Sequence, residues 1–316
     1  MSAAGGGGAA AALLQAMRQR DCPVCGASAA VARPFMARSF DASRLTASSF
    51  ASRKVPEFMS YTLVKCRDCS TVFASEAPAA GALQTAYHEA AYDSATEAAF
   101  AAAAYRAALA PYLDRLPGRG VALEIGTGSG VFLGHLRALG FREQVGIEPS
   151  PAAIAAAGDA VRPCIREGAF RGDERPPGSV SLICCFQTLE HVADPLGLAQ
   201  AALAMLEPGG MLALITHDYT APVNRMLGRR SPIIDIEHLQ LFCPAALRHL
   251  AGAAGFGAVD LAPVQNVYPL RYWLSLLPLP GGIKRATMAG AKAARVDQIP
   301  IRLNVGNLLT VAQKPP

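Results

Sequence analysis

Four cysteines stand in two CxxC knuckles: CPVC with Cys22 and Cys25, and CRDC with Cys66 and Cys69. Each knuckle offers two thiolates on one tight turn, and two knuckles supply the donor set that tetrahedral zinc takes. Four protein ligands leave no open coordination position, so such an ion holds a fold together and does no chemistry. Disulfides would call for a secretory signal, which the sequence does not show, and a redox CxxC needs only one pair. Structural Zn2+ is the expectation. Cys164, Cys184, Cys185 and Cys243 lack such spacing and read as small buried hydrophobes.

Two Glu-His pairs are candidates for proton transfer: Glu190-His191 in LEHV and Glu237-His238 in IEHLQLF. Histidine titrates near neutral pH, so either pair suits removal of a proton from a hydroxyl or a carbon acid. The expected base is His238, oriented by Glu237, with His191 shaping the pocket. His88, His135, His217 and His249 read as packing or solvent-facing residues.

A third candidate is ALEIGTGSGVFLGHL, residues 122–136, where Gly126, Gly128 and Gly130 alternate just after an apolar run ending near Glu124. Such a turn lets a small molecule lie against bare backbone at the mouth of a parallel sheet. A dinucleotide fingerprint would have its third glycine where Val131 stands, and Glu124 would repel a pyrophosphate. A carboxylate there suits a ligand carrying an ammonium group beside a sulfonium. Glu148 ends the next strand, where an acidic side chain can accept both ribose hydroxyls.

The elements that must position these residues alternate from residue 121 onward. VALEIG, QVGIEPS, SVSLICCF, MLALITHDY and AVDLAPV read as strands. GVFLGHLRALG, PAAIAAAGDAV, PLGLAQAALAML (ended by EPGG) and CPAALRHLAGAAGF read as the helices between them. The pattern predicts a doubly wound α/β sheet with ligands at the carboxyl ends of its strands. The expected organisation is a disordered leader over 1–20, a zinc-ribbon-like module over 21–80, a helical cap over 81–117 and the sheet domain over 118–316. Within the last, 262–300 reads as an insertion that forms a lid, contacts a membrane surface or simply packs. Tyr87 and Tyr92, on the Ala-rich helical stretch, read as packing residues that are also placed to cap a ligand.

EIGTGSG, GIEPS, FQTLEHVADP and LEPGGML resemble the successive motifs of class I S-adenosylmethionine-dependent methyltransferases, over roughly residues 118–260. The two knuckles followed by AYHEAAYD resemble a subgroup with an N-terminal zinc module, some of whose members methylate nucleotide-linked sugars. The resemblance implies a Rossmann-like seven-stranded sheet closed by an antiparallel strand, which VGNLLTVAQK (305–314) fits. It implies a donor site made of Glu124, the turn Gly126, Thr127, Gly128 and Gly130, then Glu148 and Pro149 for the ribose. Ala169 and Phe170 fall at the adenine, and Gln187 near the methyl group. Carbon-methylating members carry a further C-terminal domain that this sequence does not show.

The 316 residues are 52% hydrophobic and only 17% charged. The net charge of +5 is spread without a block of basic residues, which argues against a nucleic-acid partner. No apolar run is long enough to span a membrane, and a cytoplasmic location is expected. The expectation is methyl transfer to a small-molecule acceptor, a sugar or a nucleotide- or lipid-linked intermediate, with at most a weak membrane-surface contact through 268–295. The alternatives are an RNA or protein methyltransferase, a cofactor-binding scaffold without turnover, and a dehydrogenase.

Overall fold

A computed structural model describes residues 13, 15–45, 49–50, 57–92, 95–277 and 279–316. Of the expected leader, residues 1–12 and 14 lie outside these, but its end is ordered: β1 (Met17–Gln19) pairs antiparallel with β5 (Glu76–Pro78). Between them, β2 (Arg33–Met36), β3 (Leu63–Lys65) and β4 (Val72–Ala74) form an antiparallel sheet. Of these, β2 and β3 lie in the gap between the two knuckles. Helices α1 (Ala80–His88) and α2 (Ala95–Leu109) follow.

The main sheet then begins. Its strands are β6 (Val121–Ile125), β7 (Glu143–Glu148), β8 (Ile165–Glu167), β9 (Val180–Phe186) and β10 (Leu206–His217). After a two-residue strand β11 (Gln240–Leu241) come β12 (Val259–Pro269) and β13 (Pro300–Gln313). The spatial order is β12-β13-β10-β9-β6-β7-β8, with β13 antiparallel to both its neighbours. This is the expected seven-stranded α/β sheet. β9 is buried along its whole length, as a central parallel strand must be when helices cover both faces.

The helices are α3 (Val131–Ala138), α4 (Pro151–Ala155), α5 (Pro195–Met205), α6 (Pro222–Leu227), α7 (Pro244–Ala254), α8 (Leu270–Leu276) and α9 (Gly281–Ala293). Local chemistry sets their ends. Asp194 caps α5 by accepting from the Gly197 N–H at 2.8 Å, with Pro195 in the first turn. Gly255, at φ +100°, stops α7 in the left-handed conformation that glycine adopts without strain.

Three expectations are corrected. PAAIAAAGDAV is helical only to Ala155, and the chain turns from Ala156 onward. EPGG does not follow α5 as a free turn; β10 already starts at Leu206, with a register shift between Leu206 and Met211. The insertion is shorter than 262–300, since β12 runs to Pro269, and it holds two helices, α8 and α9.

Side chains on β10 alternate between two cores. Leu212 and Leu214 join the face that α5 and α7 cover, whereas Met211, Ala213 and Ile215 join the face under α2 and α3. The first of these cores is continuous with the cysteine module through Val72, Phe73, Leu239 and Leu241. The reason is β11, which pairs antiparallel with β4 (Gln240 opposite Phe73, Leu241 opposite Val72) and so completes a four-stranded sheet from both parts of the chain. Among the described residues no helix is long and apolar enough to cross a membrane.

Candidate functional site

The turn after β6 takes Gly126, Gly128 and Gly130 through positive φ values of 72°, 56° and 71°. Gly126 and Thr127 both donate backbone N–H groups to the Ile147 carbonyl, at 2.9 and 3.1 Å, which fastens the turn to β7. A Cβ at Gly126 would collide with the Thr188 side chain, so here glycine is required by space as well as by φ. Glu148 accepts from the Gly128 N–H at 2.8 Å and the Ser150 N–H at 2.9 Å. Burial raises its carboxyl above the ordinary range, and these two hydrogen bonds pull it back.

A cavity of about 1130 Å³ opens over the carboxyl ends of the strands. Of the expected donor residues, Gly126, Gly128, Glu148, Pro149, Ala169, Phe170 and Gln187 line it. Glu124, Thr127 and Gly130 do not. Glu124 lies behind the turn, 4% exposed, accepting the Thr127 hydroxyl at 2.5 Å. Burial, with the Glu148 charge adding, pushes it up to about 8 against that hydrogen bond. Direct contact between the Glu124 carboxylate and a ligand in the cavity is therefore not what the geometry provides; the turn's backbone faces the ligand instead.

Gln187 carries two marks of a binding position. It is one of four non-glycine residues described at positive φ, at 52°, and its buried Nε2 has no hydrogen-bond partner among the described residues. Strain and an unpaired buried donor on a cavity wall are both costs that a ligand can repay.

At the other end of the cavity three histidines gather. The rings of His191 and His238 are 4.9 Å apart, and those of His238 and His217 5.4 Å. His238 Nδ1 lies 2.8 Å from the Ile233 carbonyl, which can only accept, so Nδ1 carries the proton and Nε2 is the basic nitrogen. His191 Nδ1 is 2.9 Å from the Tyr87 hydroxyl and 3.7 Å from Glu237 Oε2. Tyr87 thus packs against the site instead of standing apart from it. Tyr92 also lines the cavity and donates to Ser129 at 2.8 Å.

His217 had not read as a site residue. It lines the cavity, its Nδ1 2.9 Å from Asn307 Oδ1, while Asn307 donates to Asn266 Oδ1 at 3.0 Å. Burial, then the neighbouring His238, holds it down at about 3, so it stays neutral. In sequence it was a histidine ending an apolar strand, with nothing nearby to separate site from core. The LEHV pair divides: His191 faces the cavity, whereas Glu190 is wholly buried, accepts from the His217 N–H at 2.6 Å and is pushed up by burial to about 7.

Two residues missed in the sequence tie the Glu-His loops together. Gln240 Nε2 donates to the Leu189 and Val192 carbonyls at 2.7 and 2.8 Å. Arg20 donates to Gln240 Oε1 and to the Ala193 carbonyl, both at 2.8 Å. The insertion supplies a wall as well. Tyr272, Trp273 and Leu276 of α8 line the cavity, Tyr272 stacks on Tyr268 at 4.2 Å, and Trp273 Nε1 donates to the Ile301 carbonyl at 3.0 Å.

Away from the cavity, the donor atoms of Cys22, Cys25, Cys66 and Cys69 all lie within 4.8 Å of one another. Tetrahedral zinc with bonds of about 2.3 Å sets its sulfurs about 3.8 Å apart. The cross-knuckle pairs here, 3.4 Å for Cys22–Cys69 and 3.5 Å for Cys25–Cys66, lie close to that spacing and far from a disulfide. Cys184, Cys185 and Cys243 are buried as expected; Cys164 is only half-buried.

A family model described as a methyltransferase domain matches residues 97–261. A ubiquinone biosynthesis O-methyltransferase from Cupriavidus pinatubonensis is 32% identical over 114 residues, 30% of this chain and 43% of that protein. One of the same name from Psychrobacter arcticus is 29% identical over 110 residues, 31% of this chain and 41% of its own. The match spans less than half the length of these relatives. Solved structures aligning over two thirds of the chain include the YcgJ protein of Bacillus subtilis (15% identity, TM-score 0.46, 66% of this chain and 99% of that one). A methyltransferase from Archaeoglobus fulgidus aligns at 16% identity and TM-score 0.43, over 67% of this chain and 94% of its own.

Proposed function

This chain belongs to the methyltransferase-domain family, and on that footing we propose that it moves a methyl group from S-adenosylmethionine to a hydroxyl of a small molecule. The observation that supports this most is the two-ended cavity, with a bare glycine turn and Glu148 at one end and His191, His217 and His238 at the other. When bound, the donor supplies an already activated methyl group on a sulfonium.

The protein's part is then alignment and proton transfer. The Gly126–Gly128 backbone leaves room for the donor's methionine portion, and Glu148, held by two backbone N–H groups, accepts the ribose hydroxyls. Ala169 and Phe170 flank the adenine, and Gln187, whose buried Nε2 has no partner among the described residues, stands on the cavity wall near the methyl group. Glu124 acts from behind the turn, as a buried carboxyl that ionises when a cationic ligand binds. At the acceptor end, His238 Nε2 takes the hydroxyl proton, its tautomer fixed by the Ile233 carbonyl. Neutral His217 hydrogen-bonds the acceptor, and Tyr268, Tyr272 and Trp273 provide an aromatic wall for a ring-bearing molecule, a sugar or a lipid-linked intermediate in the first instance. The relatives' O-methyltransferase names favour oxygen as the acceptor atom. Cys22, Cys25, Cys66 and Cys69 hold structural zinc, remote from the reaction.

Calorimetry tests the donor half. S-adenosylmethionine and S-adenosylhomocysteine should both bind, and Glu148→Ala should weaken both by about 1.5–3 kcal/mol, the scale of charged hydrogen bonds. Tight NAD binding without S-adenosylmethionine binding would overturn the reading. Labelled donor incubated with sugar nucleotides, lipid-linked sugars and phenols tests the acceptor half.

A further inference from the structure

Helix α9 buries none of its residues, although a helix in a folded protein ordinarily owes its stability to an apolar face packed on a core. Among the described residues the element it packs against most is α8, on the cavity wall. What it presents outward is a mixture with a pattern. Leu277, Leu279 and Ile283, in and just after the loop that leads into it, are 43%, 36% and 56% exposed, and Ile299 is 47% exposed. Lys284, Arg285 and Lys292 share one side of the helix, Ile283 and Ala286 the other, and Arg295 follows. From Leu261 to Val296 the chain has no Asp or Glu, and Arg271 adds a fifth cation. The patch meets the cavity at Leu277, which lines it together with exposed Met226 and Leu303 and with Arg230.

Apolar side chains ahead of a row of cations suit one surface in particular. A second copy of the chain would bring the cations against themselves. A nucleic acid would neutralise them but leave the leucines and isoleucines in water. We propose that Leu277 and residues 279–295 dock on an anionic lipid bilayer, Leu277, Leu279 and Ile283 entering the headgroup boundary and the cations resting on lipid phosphates. The cavity rim then faces the bilayer, and the acceptor is an amphiphile taken from it. That last step rests on the methyl-transfer reading; the docking does not.

The test is cosedimentation of the full chain with phosphatidylcholine vesicles, with and without phosphatidylglycerol, at low and high salt. Binding should require phosphatidylglycerol and weaken with salt. Arg285→Glu combined with Lys292→Glu should weaken it at least about tenfold, and Ile283→Asp about fivefold, with S-adenosylmethionine affinity unchanged in both as the check on folding. No cosedimentation at low salt, or undiminished binding by the charge-reversed variant, overturns the proposal. So does an Ile283→Asp protein that binds like the parent while single-stranded RNA competes the vesicles away, since the face is then one for nucleic acid. If vesicles bind as expected but no donor binds, the methyl-transfer reading fails and the docking stands.

Discussion

Ile233 lends its carbonyl to His238 while Tyr87 and Glu237 attend His191, so two rings 4.9 Å apart differ in their hydrogen bonds. If His238 is the base, His238→Ala lowers kcat by about 10²–10⁴-fold, the usual cost of losing a general base. Donor affinity should stay within about threefold, because the groups for that ligand lie at the other end of the cavity. If His191→Ala shows the large loss instead, the roles are exchanged. A second residue-scale prediction concerns Glu124. With its carboxyl near 8, it is mostly protonated at neutral pH, and a cationic donor favours the ionised form. Binding therefore releases a proton, and affinity rises with pH until it levels off above about 8. Calorimetry in buffers of different ionisation enthalpy reads that proton, and Glu124→Gln should abolish it; a pH-independent affinity would sink the argument. The two Glu-His pairs and the glycine turn were legible because each is a compact local pattern. His217 was not, because its meaning comes from Asn307, brought beside it only by the antiparallel pairing of β10 with β13.

At the scale of elements, the central strands of the main sheet were legible because each is a largely apolar run, whereas β8, the three residues IRE at the sheet's edge, carries no such run and was not among the strands read. β11 was hidden, being two residues inside a stretch already read as a catalytic loop. It changes what the cysteines are expected to do. Glu237 and His238 stand immediately before Gln240 and Leu241, which pair with β4, and β4 begins three residues beyond Cys69. Cys66→Ser should therefore reach the acceptor end. If the four cysteines hold zinc, the expected outcome is loss of that zinc, measured by elemental analysis, and a drop in kcat with donor affinity little changed. A metal-free variant that turns over normally would show that the strand holds without the ion.

Taken whole, the module and the sheet share one apolar core, running from Cys22, Val24 and Phe73 through Leu239 and Leu241 to Leu198 and Leu247. Shared burial makes unfolding cooperative, so calorimetry of the zinc-loaded protein should show a single transition. Structural zinc binds with roughly 10–16 kcal/mol in small peptides, comparable with the entire stability of a typical domain. Chelation should accordingly lower the midpoint of that one transition; two separate melting events, only the first sensitive to chelator, would refute the shared core. The expected boundaries at 80 and 117 came from glycine, proline and cysteine spacing, and such local signals carry no information about a strand contributed from far along the chain. That strand also sets an order in time. On the ribosome β4 is made long before Gln240 and Leu241, and at about 5–20 residues per second its open edge waits on the order of ten seconds for its partner. During that interval nascent Val72, Phe73 and Ala74, all buried in the finished protein, offer a free strand edge to any neighbouring chain. Slow translation should therefore raise the fraction lost to aggregation, and chaperones that shield nascent edges should recover it.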